Sequence, residues 1–150
     1  MGENLKSSAI SATLLKAKSL YEAGRLHWSL GQFRNSIQKV NSAADLYEEV
    51  KDFDMYFRCQ ALILRMYSEM AEPKQITEVR AKVEKVLKRE ALSHPPVILT
   101  VYAFMAQQQG NLPQALDHLQ KALAAALARD SKEDTCHAIY GLVVVYAYLN

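Results

Sequence analysis

Four histidines and two cysteines are the side chains of this 150-residue sequence best suited to metal ligation or nucleophilic chemistry. Their spacing assembles neither. His27, His94, His118 and His137 form no H-E-x-x-H pattern, and Cys59 and Cys136 are too far apart for a C-x-x-C pair. Asp117 and His118 are adjacent, which on a helix turns them to different sides and rules out an acid–base pair. The histidines therefore read as surface or half-buried side chains. There is no G-x-G-x-x-G, no phosphate loop and no G-x-S-x-G, and Gly110-Asn111 is a turn signal rather than a phosphate cradle. The expectation is a protein that is not an enzyme and needs no cofactor or metal.

Charge offers one further candidate. Lys82, Lys85 and Arg89 fall on one side of a helical segment and suit phosphate or an acidic partner. Glu78 with Lys82 and Glu84 with Lys88, at four-residue spacing, favour a solvated outer face instead. A formal net charge of +2 gives no field that selects nucleic acid or anionic lipid, so neither is expected as a partner. The amino-terminal stretch "MGENLKSSAISATLLKAK" lacks the apolar centre of a signal peptide. It also misses the myristoylation pattern, because Lys6 stands where Ser or Thr is required. No run of 18 uncharged apolar residues is present, so a membrane span is excluded on length. A soluble, cytoplasmic protein follows, and both cysteines, set in apolar helical stretches, are expected as buried reduced thiols.

The elements that would position these groups are helices. Half the residues are hydrophobic, and they recur at three and four almost throughout. At 150 residues the chain can bury roughly 70% of the surface that its unfolded form exposes. Breakers divide it into about seven helices, near 10–30, 33–51, 54–71, 74–92, 96–109, 112–130 and 133–149. Pro73 and Pro113 stand at helix starts, where the missing N–H costs nothing, and Pro95-Pro96 breaks the chain before the fifth helix. "SKED" at Ser131–Asp134 is a capping signal for the seventh.

The helices repeat. With Gly31, Lys74, Gly110 and Asn150 placed at one equivalent turn point, the spacings are 43, 36 and 40 residues. Eleven residues upstream stand Leu20, Ile63, Leu99 and Ile139; five downstream stand Ser36, Val79 and Ala115. Val40, Val83 and Leu119 follow at nine, and Ala43, Val86 and Ala122 at twelve. Small residues let helix axes approach and large ones fill the gaps, so stability is a sum over stacked units.

This pattern resembles the tetratricopeptide repeat (TPR) family in its long-repeat variant, the spacings exceeding the usual ~34 residues. "LTVYAFMAQQQGNLPQALDHLQKAL" matches best, through Gly110, Ala103, Ala115, Leu119 and Ala122. The second unit departs from it, with Tyr67, Val79 and Val86 where small residues are usual. The resemblance implies an all-α, right-handed superhelical array of antiparallel helix pairs. Residues 1–12 form an N-terminal extension and 13–150 the repeat domain, with units about 17–51, 60–92 and 96–130 and a lone first helix at 133–149.

The same resemblance implies a concave, ligand-facing groove lined by the first helix of each unit. Its residues here are Lys18, Tyr21, Arg25 and Trp28, then Leu64 and Ser68, then Thr100, Phe104 and Gln107, then Tyr140 and Val144. Tyr21 and Arg25 occupy the positions of the family's asparagine-and-lysine clamp, so capture of acidic chaperone tails is not implied. The expected function is a non-enzymatic module that binds a peptide or protein segment by shape and a few aromatic and cationic anchors. Alternatives are the sensory or regulatory half of a bacterial signalling or transcription regulator, and a small secretion chaperone. The terminal stretch "HAIYGLVVVYAYLN" is apolar on nearly all sides. Such a helix must be covered, either in a homodimer through Ile139, Val143, Val145, Tyr146, Tyr148 and Leu149 or by the rest of a longer array.

Overall fold

The computed structural model describes residues 2–149 as seven helices, with no strand among them. They are α1 (Gly2–Ser29), α2 (Phe33–Glu49), α3 (Phe53–Glu69), α4 (Pro73–Arg89), α5 (Pro96–Gln108), α6 (Leu112–Ala128) and α7 (Lys132–Leu149). Asn150, the fourth turn point of the sequence alignment, lies outside the described residues. Among those residues, no helix is long and apolar enough to cross a membrane.

Helix starts follow the capping chemistry. Pro73 and Pro96 open α4 and α5, and Pro113 is the second residue of α6. The Asn111 carboxamide oxygen accepts from the Gln114 amide at 3.2 Å, and the Asp52 carboxylate accepts from the Met55 amide at 3.1 Å. At α7 the Asp134 amide donates to Ser131 Oγ, whose hydroxyl in turn donates to the Asp134 carboxylate at 2.8 Å.

Helix ends are uniform to a degree that the sequence does not announce. Each of the six connections passes through one residue of positive φ: Gly31, Lys51, Ala71, Ala91, Gly110 and Asp130. At each, the amide of that residue returns to the carbonyl three before it, and the next amide reaches back five. Gly31 to Trp28 at 2.9 Å with Gln32 to His27 at 2.8 Å is one example; Ala71 to Ser68 with Glu72 to Tyr67 is another. These paired bonds satisfy the last carbonyls of each helix and require a left-handed residue at the reversal.

The turns correct the sequence alignment. Gly31, Ala71 and Gly110 are structurally equivalent, spaced by 40 and 39 residues, so the second turn point is Ala71 and not Lys74. The valine stripe of α4, Val79, Val83 and Val86, is buried three residues later from its turn than the small-residue stripes of α2 and α6. Aligning on that stripe displaced the turn. A second correction concerns α1, which begins at Gly2 rather than near residue 10. With no proline to break it, the segment assigned to an N-terminal extension continues the helix, and residues 4–12 are exposed along it.

The chain forms two compact units, Met1–Met66 and Tyr67–Asn150. In the first, α1 and α2 approach at Gly24. The Ser36 hydroxyl donates to the Gly24 carbonyl at 2.6 Å, and a β-carbon at Gly24 would run into the Val40 side chain. In the second unit, α6 lies against both α5 and α7. Leu119 of α6 fills a cluster with Ala103, Ala106, Ala115 and Val145, and Leu99, Ala122 and Ala138 form a neighbouring one. Gly141 of α7 gives Leu119 its room: a β-carbon there would stand 2.5 Å from Leu119 Cδ2. Burying a leucine of this kind contributes about 1.5–3 kcal/mol, which needs small residues on both facing helices.

Candidate functional site

On α1, the register places Lys18, Tyr21, Arg25 and Trp28 along one face. Lys18 and Arg25 are exposed, and Tyr21 and Trp28 are half-buried. The Arg25 guanidinium lies 5.9 Å from the centroid of the Tyr21 ring and 3.7 Å from the Glu22 carboxylate. Burial, with Cys59 adding to it, raises the Tyr21 phenol above its ordinary value, and Arg25 offsets part of that rise. The structure thus brings Tyr21 and Arg25 together as an aromatic–cation pair whose charged end reaches water.

The expected residue Leu64 is a correction. It is fully buried at 0% exposure and belongs to the core. With Ala71 as the turn point, Leu64 takes the place of the buried Gly24 and Ala103, whereas Arg65, which is exposed, takes that of Arg25 and Phe104. Arg65 is the residue that the displaced alignment missed. Ser68 is half-buried, and its hydroxyl donates to the Gln108 carboxamide at 2.7 Å. Thr100, Phe104 and Gln107 are half-buried on α5. On α7, Tyr140 is exposed and Val144 half-buried.

Among the residues expected to oligomerise, Val145 is the second correction. It is fully buried, in contact with the Leu119 cluster, and serves the core of its own unit. Ile139, Val143, Tyr146, Tyr148 and Leu149 are exposed, between 47% and 68%. Cysteine burial divides in the same way. Cys59 is buried and its thiol is pushed up to about 12 by burial, whereas Cys136 is exposed, contrary to expectation; both are free. Cys136 faces outward because α7 buries the side that carries Asp134, Ala138 and Val145.

A polar cluster that sequence spacing did not reveal joins α4, α5 and α6. The Tyr102 hydroxyl donates to Glu84 Oε1 at 3.0 Å, and His94 Nε2 lies 2.8 Å from the same oxygen. Arg80, one turn before Glu84, stacks its guanidinium 4.5 Å from the Tyr102 ring centroid. The rings of His94 and His118 approach that ring edge-on at 6.1 and 5.9 Å. Burial pushes the Glu84 carboxyl up, but the bonds from His94 and Tyr102 outweigh it and hold the group below its ordinary value. Burial and the Glu84 carboxylate raise the Tyr102 phenol, so its proton stays in place. Burial also lowers His118, whose Nδ1 is buried without a hydrogen-bond partner. The Tyr102 hydroxyl and the His94 imidazole meet on the Glu84 carboxylate, and His118 packs against the Tyr102 ring, so the cluster ties α4, α5 and α6 together. No group of three or more His, Cys, Asp or Glu among the described residues could hold a metal.

No protein-family model matches the chain, and no curated protein matches it.

Proposed function

We propose that the chain is a TPR-like interaction module that holds a peptide or protein segment by aromatic and cationic anchors, without catalysis. The observation that carries this reading is the Tyr21–Arg25 pair on the exposed-edged face of α1, a half-buried ring beside a solvated guanidinium. Tyrosine and arginine are the residue types that dominate protein interfaces, because they combine large contact area with directed hydrogen bonds. Three helix–turn–helix units at 40- and 39-residue spacing, with small residues where α1 meets α2 and α6 meets α7, support the repeat reading. Partner segments carrying an acidic side chain next to an apolar one fit the pair.

A random peptide library selected on the immobilised chain tests this. Selected peptides should lose capture when Tyr21 and Arg25 are replaced together by alanine, while far-UV circular dichroism stays unchanged. Undiminished capture by that double variant refutes the site.

A further inference from the structure

We infer that the outer face of α4 is a docking surface for a short acidic protein segment, held by a line of lysines. The helix buries Val79, Val83, Val86 and Leu87. On the opposite side Lys74, Glu78, Ala81, Lys85 and Lys88 follow one another at four- and three-residue steps, with Lys82 beside them, and all are exposed. Four-residue spacing to Glu78 and Glu84 would neutralise this face, but the structure does not use it. The Glu84 carboxylate turns instead to the Tyr102 hydroxyl at 3.0 Å and to His94 Nε2 at 2.8 Å. Among the described residues, no carboxylate comes within ion-pair distance of Lys74, Lys82, Lys85 or Lys88. The acid that sequence spacing assigns to the outer face thus serves the joint with α5, and the lysines are left with water.

Charge complementarity selects an acidic occupant, and three features select a short protein segment among the polyanions. Residues 73–89 carry six Lys and Arg against two Glu, whereas the rest of the chain carries twelve against fourteen Asp and Glu. A duplex or a bilayer is wider than one helix and answers to the field of the whole chain, which is weak; a short segment can lie along α4 alone. Secondly, both arginines of the helix are engaged. Arg80 stacks on the Tyr102 ring and Arg89 Nε meets Glu90 Oε1 at 2.7 Å, so the planar fork suited to phosphate is not what this face presents. Thirdly, the outer line carries no aromatic or large apolar side chain to stack on a base or enter a membrane. From Lys74 to Lys88 the line runs about 21 Å, which an extended segment of about six residues spans. Pairs of this exposed kind give a weak, rapidly formed complex.

Fluorescence anisotropy of a labelled octaglutamate peptide, titrated with the whole chain, tests this. Binding is expected at about 0.01 M salt and should weaken toward about 0.15 M, as the Debye length falls from ~30 to ~8 Å. The double variant K85Q/K88Q should weaken it about five- to tenfold. Both lysines are exposed and glutamine is an equally good helix former, so the far-UV spectrum should not change. K16Q/K39Q removes the same charge from exposed positions on α1 and α2 and should leave the affinity near that of the parent. Replacing Tyr21 and Arg25 by alanine should also leave it, which separates this surface from the α1 anchors. A parent chain that does not bind octaglutamate at low salt overturns the inference. So does an equal loss in K16Q/K39Q and K85Q/K88Q, which would reduce the effect to bulk charge. Tighter binding of a short DNA duplex or of phosphatidylserine vesicles at the same salt overturns the choice of a protein segment.

Discussion

Replacing Ala71 and Ala91 by glycine should stabilise the fold, the unusual direction for a glycine substitution within a helical protein. Both alanines stand at helix reversals in the left-handed region, with φ of 54° and 52°, and both are exposed, so no packing is lost with the methyl group. A β-carbon in that conformation costs roughly 1–2 kcal/mol. Glycine escapes this cost but adds freedom to the unfolded chain, which offsets about 0.4–1 kcal/mol. The net gain is about 0.5–1 kcal/mol per site. The two turns are separate and share no partner, so the double variant should gain roughly 1–2 kcal/mol, which raises Tm by about 2–4 °C per kcal/mol for a chain of this size. The reciprocal changes have equal diagnostic value. A β-carbon added at Gly31 or Gly110 meets nothing within 4 Å, so Gly31→Ala and Gly110→Ala should lose a similar amount through backbone conformation alone. Asp130 should gain least from glycine, because a short polar side chain tolerates the left-handed region. Urea unfolding followed by circular dichroism measures all of these against the parent. If A71G and A91G destabilise, or if G31A and G110A are neutral, the common left-handed reversal is refuted.

Gly141→Ala should destabilise by about 1 kcal/mol net, the intrusion on Leu119 costing about 1–3 and the helix gaining about 1 from alanine. Combining it with Leu119→Val should relieve part of the loss; a G141A variant stabilised by the full alanine gain would show that α6 and α7 have room to spare. Acid should weaken the α4–α5–α6 cluster through His118. Burial lowers this imidazole below its ordinary 6.5, so the neutral form contributes stability that is complete above 6.5 and lost as pH falls through the folded-state value. Melting curves between ~pH 7.5 and ~pH 5 should fall more steeply for the wild type than for His118→Asn, and parallel curves would remove His118 from the account.

The helices were legible in the sequence because each declares itself locally. Pro73, Pro95-Pro96 and Pro113 mark starts, Gly31 and Gly110 mark ends, and apolar residues keep the helical period between them. Where no local mark exists, sequence and structure part. Ala71 is a left-handed reversal without a glycine, so sequence spacing puts the second turn at Lys74 and Leu64 on a ligand-facing surface. The start of α1 lacks both a breaker and a capping pair, and the helix runs to Gly2. The Arg80–Glu84–His94–Tyr102–His118 cluster has no sequence signature at all. Its members come from α4, the connection before α5, α5 itself and α6, and only the packing of those segments gathers them around the Tyr102 side chain.

The same packing rule that builds the units also limits where this chain can offer surface. A first helix is buried wherever small residues admit its partner, as at Gly24 under Val40 and at Ala103 beside Leu119. On α1 the positions left open are those of Lys18 and Arg25, with Tyr21 half-buried between them. On α7 the relation reverses. Gly141 receives Leu119 from within the unit, and the large apolar side chains Ile139, Tyr140, Val143 and Tyr146 turn outward. The two faces differ in kind: on α1 an exposed guanidinium borders a half-buried ring, whereas on α7 the exposed side chains are large and apolar.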